Sequence, residues 1–120
     1  MSTVLQIYEA IDRLAPFFLS MDFDNTGILV GDRQKKVERA LLALDCTKEV
    51  LRQAKELGAQ LIITHHPIIF HPIKRVNEDS LVYHLLRSDI AVISAHTNLD
   101  IAQGGVNDLL AKRIGLSDCR

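Results

Sequence analysis

Arg39-Ala40-Leu41-Leu42-Ala43-Leu44-Asp45 and Gln60-Leu61-Ile62-Ile63-Thr64-His65-His66-Pro67 bracket the segment that decides the fold. Each is a nearly continuous apolar run closed by polar residues, the pattern of a strand buried on both faces of a sheet. Between them Thr47 suits the N-cap of a helix over residues 48–57, and Gly58 suits the position just past its end. Strand, helix and strand in that order make a parallel pair joined by a right-handed crossover.

The alternation continues downstream. Residues 78–87 form a helix with acidic residues in its first turn and Arg87 in its last, which suits the macrodipole. Ile90-Ala91-Val92-Ile93-Ser94-Ala95 is a third buried strand, ending at His96-Thr97-Asn98-Leu99-Asp100, and residues 106–114 form a last helix closed by Gly115. Upstream, Val4, Leu5, Ile7, Tyr8, Ile11, Leu14 and Ala15 recur at helical spacing, so residues 3–15 are an amphipathic helix stopped by Pro16. Residues 20–26 are turn-rich, residues 27–31 are a short strand between glycines, and residues 32–36 are a polar turn. The fold class is therefore α/β, with a mostly parallel sheet in a single domain over residues 1–120. Three core strands make a thin sheet, and the last helix is followed by no closing strand, which hints at a partner segment.

Composition narrows the function. Hydrophobic residues at 48% and charged residues at 24% sit near the globular average. A net charge of -1 and 5% aromatic residues give no basis for a nucleic acid or an anionic membrane as partner. No apolar stretch approaches the roughly 20 residues that span a bilayer. Met1-Ser2-Thr3-Val4 shows no basic and apolar leader, and two isolated cysteines make no disulfide framework, so the expected compartment is the reducing cytoplasm. Cys46 reads as a small, partly buried residue rather than a nucleophile.

In open α/β sheets ligands sit outside the carboxyl ends of the strands. Here those ends are Asp45, His65-His66 and His96, with Asp100 four residues further on. Adjacent strands lie about 4.8 Å apart, so these side chains can converge on one mouth of the sheet. Neutral imidazole is a ligand for Zn, Mn, Fe or Ni. At a strand end bent by Pro67, both His65 and His66 can turn toward a common site. Asp100 supplies a carboxylate that balances a dication. His96 is open between a ligand, a donor to a ligand, and a general acid/base. Asp45 is open between an acceptor behind a ligand and the cap of the next helix. His71 and His84 read as surface residues. Gly104-Gly105 is a weak phosphate signal, and neither G-x-x-x-x-G-K-[ST] nor G-x-G-x-x-G occurs.

Asp24-Asn25-Thr26-Gly27-Ile28-Leu29-Val30-Gly31, Leu61-Ile62-Ile63-Thr64-His65-His66-Pro67-Ile68-Ile69-Phe70 and Ala95-His96-Thr97-Asn98-Leu99-Asp100 stand in this order. Together they resemble the family of GTP cyclohydrolase I type 2 homologs, the NGG-one-interacting-factor-three-like proteins, over essentially the whole chain. The resemblance implies a three-layer α/β fold, toroidal homo-hexamers and a dinuclear divalent-metal site. It implies that His65, His66 and Asp100 are metal ligands, with the two histidines distributed over the two ions and His96 beside them. Two departures stand out. Phe23 replaces the tryptophan usual in the family. No histidine or glutamate follows Asp100, whereas the family takes its remaining ligands from a His-x-x-x-Glu near a more distant C-terminus. The chain is accordingly expected to correspond to the N-terminal half of such a protein, as a fragment, a truncated product or one subunit of a split pair.

The function implied is a metal-dependent hydrolase acting on a nucleotide or a phosphorylated small molecule, with His96 as the catalytic proton shuttle. The alternatives are a non-catalytic, metal-stabilised oligomeric scaffold and an inactive truncation.

Overall fold

A computed structural model describes residues 1–119 of the chain. The elements in order are β1 (Ser2–Thr3), α1 (Val4–Leu14), β2 (Gly27–Val30), β3 (Lys36–Val37), β4 (Ala40–Ala43), α2 (Lys48–Glu56), β5 (Leu61–Thr64), α3 (Leu81–Arg87), β6 (Ala91–Ser94), α4 (Thr97–Ile101) and α5 (Val106–Arg113), with a 3-10 turn at Phe17–Leu19. The main sheet has the order β2-β6-β5-β4. The crossovers through α2 and α3 make β4, β5 and β6 parallel, in a register that aligns Ala43 with Thr64 and Thr64 with Ser94. β2 closes the far edge antiparallel to β6, pairing Gly27 with Ser94. β1 and β3 form a separate antiparallel pair. This pair lies where sequence patterning suggests only a chain start and a polar turn; two-residue strands are too short to show a period.

The period-2 alternation of the strands divides the core into two layers. Ile62 and Val92 point to α2 and α3, where Leu51, Ala54 and Leu85 meet them. Leu61, Ala91 and Ile93 point to the opposite face, where Val4, Ile7, Tyr8 and Ile11 of α1 cover them. The result is a three-layer α/β/α arrangement. Tyr8 stacks on Phe17 at 4.4 Å between ring centroids, pinning the chain that leaves α1.

Local chemistry sets the helix ends. Thr3 caps α1 in a capping box with Gln6, and Thr47 caps α2 through a 3.1 Å bond from the Val50 amide. α3 is shorter than its acidic lead-in suggests. Asn77 and Ser80 bond to each other and to the local backbone in a turn, so the helix begins only at Leu81 and Glu78 and Asp79 lie outside it. α4 is a further helix that the sequence patterning does not show, and Asp100 lies on its single turn.

β4 is an edge strand and not a strand buried on both faces. Leu42 is 73% exposed, and Leu44 just beyond the strand is also exposed, because α1 lies over β5 and β6 and leaves this border of the sheet open. No helix among the described residues is long and apolar enough to cross a membrane.

Gly104 serves a turn at φ 75° with open space around it, and Gly105 serves packing. The Gly105 amide donates to Ala102 O at 2.8 Å and the Gly104 amide to Asp108 at 2.7 Å, so neither is free for a phosphate. A Cβ on Gly105 would lie 2.0 Å from the backbone oxygen of Leu99, an overlap that only movement of α4 against α5 relieves. Gly105→Ala is therefore expected to lower the free energy of unfolding by about 3 kcal/mol in a urea titration. A loss below about 1 kcal/mol would show that the α4–α5 turn is not tightly packed.

Candidate metal centre

The parallel ladder continues one step past its strands. The amides of His65, His66 and Ala95 donate to Ala43 O, Leu44 O and Thr64 O at 3.4, 3.0 and 2.9 Å. These bonds hold both histidines at the mouth of the sheet beside the end of β6. Thr64, itself buried, donates its hydroxyl to His66 O at 2.8 Å and takes a 2.8 Å bond from Ser94. The turn after β5 is thus set from beneath, and His65 and His66, which an extended strand would send to opposite faces, share one side.

Three imidazoles meet there. Ring nitrogens of His65, His66 and His96 lie within 4.8 Å of one another, and the ring centroids are 5.1 to 5.6 Å apart. Each ring is oriented by a different acceptor. His65 Nδ1–H donates to the Ala95 carbonyl at 2.8 Å. His66 Nδ1–H donates to Asp45 Oδ1 at 2.8 Å. His96 Nδ1–H donates to both oxygens of Asp24 at 3.1 Å. A carbonyl or carboxylate partner fixes the proton on Nδ1 and leaves Nε2 of each neutral ring as a lone pair. This is the arrangement by which protein groups orient and strengthen histidine ligands.

Asp100, on α4, stands outside this group of three and reaches only His65. Its Oδ1 lies 3.2 Å from His65 Nε2. With Nδ1 of His65 already donating, a neutral ring would face that carboxylate lone pair to lone pair. Either a second proton on His65 or a cation between the two relieves this contact. A set of imidazole nitrogens with one carboxylate suits borderline dications such as Zn, Mn, Fe or Ni. The residues present therefore fit such an ion.

Asp24 is the residue that the strand-end argument missed, although it opens the first family motif. Its side chain is fully buried, yet it takes donors from the Thr97 hydroxyl at 2.6 Å, the Thr97 amide at 3.1 Å, the Asn25 amide at 2.9 Å and the His96 ring. Burial pushes its pKa up, but the bonds from Thr97, His96 and Asn25 outweigh it and hold the carboxyl below its ordinary range. Asn98 was also missed. Wholly buried, it takes a bond from the His96 amide at 2.9 Å and donates to Ala15 O at 2.8 Å, tying the start of α4 to the end of α1. Neither stands out locally, since Asp24 lies in a turn-rich polar stretch and Asn98 between Thr97 and Leu99.

Of the two readings open for Asp45, the structure places it behind His66, while Thr47 caps α2. His71 is exposed and His84 lies on α3, and neither belongs to the cluster. Burial raises the Cys46 thiol to about 11, which makes it a poor nucleophile near neutral pH.

Comparison with known proteins shows what the chain is similar to. The chain is 45% identical over 115 residues to a Clostridium perfringens protein called GTP cyclohydrolase 1 type 2 homolog, covering 92% of this chain and 44% of the relative. A protein of the same name from Halalkalibacterium halodurans is 43% identical over 120 residues, covering 97% of this chain and 32% of the relative. The crystal structure of a Bacillus cereus protein related to NIF3 superposes with a TM-score of 0.89 at 40% identity, covering 98% of this chain and 33% of that one. The chain thus spans less than half the length of these relatives. The profile of the family described as Duf34/NIF3 (NGG1p interacting factor 3) matches residues 2–120, and the chain belongs to that family.

Proposed function

We propose that the strand-end cluster holds divalent metal, through His65, His66 and Asp100, and that the protein to which this chain corresponds is a metal-dependent hydrolase acting on a nucleotide or a phosphorylated small molecule. The observation that supports this reading is the set of three imidazoles with Nδ1 spent on protein acceptors and Nε2 left as a lone pair, beside a carboxylate that faces His65. The names of the relatives point to a hydrolytic reaction class, by family resemblance the complete site takes two ions and the assembly is a homo-hexamer, and the two isolated cysteines favour the cytoplasm.

When bound, the ions supply Lewis acidity and make water acidic enough to attack near neutral pH. The chain's own residues do the rest. Asp45 and the Ala95 carbonyl stop the rings of His66 and His65 from turning. His96 receives a proton at Nε2 and returns it to the leaving atom, while Asp24 offsets the positive charge through Nδ1. The exposed leucines of β4 and α5, Leu42, Leu109 and Leu110 among them, favour a surface covered in an assembly. A chelator that dissociates the oligomer without any turnover ever being measurable would turn the reading toward a metal-stabilised scaffold.

Elemental analysis of untagged protein is expected to find about one or two equivalents of metal per chain, the range open to a mono- or dinuclear site, lost in a His65→Ala/His66→Ala variant. Equal metal content in the variant would remove these residues from the site.

Asp45→Asn, which alters the acceptor behind His66, is expected to weaken metal affinity about 10- to 100-fold in a competition titration with a chromophoric chelator. Unchanged affinity would mean that this orienting bond contributes nothing to binding.

His96→Gln separates the two roles of His96. As the proton carrier it should keep the metal content and lower turnover of a phosphoester by roughly 100-fold or more. If metal is lost with turnover, His96 is a ligand instead.

A further inference from the structure

A cavity of about 300 Å³ opens beside the metal centre. His66 borders both. On the cavity side the neighbours are Pro67 and Ile68 from the turn after β5, Ile73 and Val76 from the loop before α3, and Val82 on α3. Cys46, Ser80 and Leu81 also line it. No lysine or arginine lines the cavity; its charged group is the carboxylate of Asp45. Asp45 Oδ1 is taken by His66, and Oδ2 has no hydrogen-bond partner among the described residues.

A phosphoryl group in this space would meet no lysine or arginine and would face the carboxylate of Asp45, so its place is on the other side of His66, against the ions that the centre would hold. An apolar group, by contrast, exchanges water for six aliphatic side chains, and a single N–H or O–H on it finds Oδ2 ready to accept. We infer that this cavity binds an uncharged, mostly apolar group bearing one hydrogen-bond donor directed at Asp45, and that in a substrate of the neighbouring centre this is the part that is not phosphorylated. The second half of that statement rests on the hydrolase reading; the binding itself does not.

The same boundary residue links cavity and centre. A donor bonded to Oδ2 of Asp45 pulls on the carboxylate that orients His66, so occupancy of the cavity and the set of the His66 ring are coupled through one side chain.

Indole and benzofuran test it, since they share shape and differ by one N–H. Each is titrated into the chain with isotope-labelled Ile, Val and Leu methyls, after treatment with EDTA, alongside inorganic phosphate. The expected result is that indole shifts the methyls of Ile68, Ile73, Val76 and Val82, that benzofuran binds at the same methyls about tenfold more weakly, and that phosphate moves none of them. Val76→Trp, a substitution in the exposed loop that fills the mouth, should abolish the indole shifts. Equal binding of the two ring compounds would overturn the role of Asp45. Shifts elsewhere, shifts that persist in Val76→Trp, or phosphate acting on the same methyls would overturn the assignment of the cavity. Because the titration is done without metal, its failure and a failure of the metal-centre reading are seen separately.

Discussion

A carboxylate removed from water must be compensated by donors, and Asp24 shows how this chain does it. Its side chain is fully buried and takes bonds from the Thr97 hydroxyl and amide, the Asn25 amide and the His96 ring. Those donors come from two separate parts of the chain, the lead-in to β2 and the start of α4. To satisfy one charge the fold must bring them together and hold them there. The hydroxyl of Thr97 does more, since it also accepts from the Met21 amide. Breaking this node would release the ring of His96, the first turn of α4 and the loop before β2 at once, and with α4 the carboxylate that faces His65.

The topology explains why the node forms where it does. Three parallel strands place their carboxyl ends on one side of the sheet, and there alone the chain can gather side chains from several turns. β2 runs the other way, so its beginning, and not its end, lies at that mouth: Gly27 pairs with Ser94, the last residue of β6. The residues just before β2 therefore stand beside those just after β6. Asn25 extends the contact across the mouth by donating to Ile69 O at 2.7 Å, fastening the loop to the turn that follows the histidine pair.

The alternation of apolar runs with capped helices was enough to read the parallel order of β4, β5 and β6, and their polar ends were enough to gather His65, His66, His96 and Asp45 at one place. Those signals are local, and each rests on a period or a cap. The position of β2 is not local. Nothing in residues 27–30 says which strand they pair with or in which direction, so reasoning from strand ends could not assign Asp24 to His96. The exposure of Leu42 is hidden for the same reason: an apolar run looks alike at the centre and at the edge of a sheet, and only the placement of α1 over β5 and β6 decides between them. α4 escaped because one helical turn has no period to detect.

The four ligand-type side chains at the mouth are not held equally. Three rings are fixed by bonds at Nδ1, on acceptors just past the ends of β4 and β6 or in the buried node, so the rings of His65 and His66 would lose little conformational freedom on binding a cation. Asp100 sits on a helix of five residues whose position depends on Asn98, on the Asp24 node and on the close passage of Gly105 under Leu99 O. Its approach to His65 is the least supported contact of the group. A cation drawn between them would therefore gain most of its affinity from rings already in place, and would in turn add the one restraint that α4 lacks. Metal affinity and the stability of α4 are then two readings of the same coupling, with the histidines as its rigid side and Asp100 as its movable one.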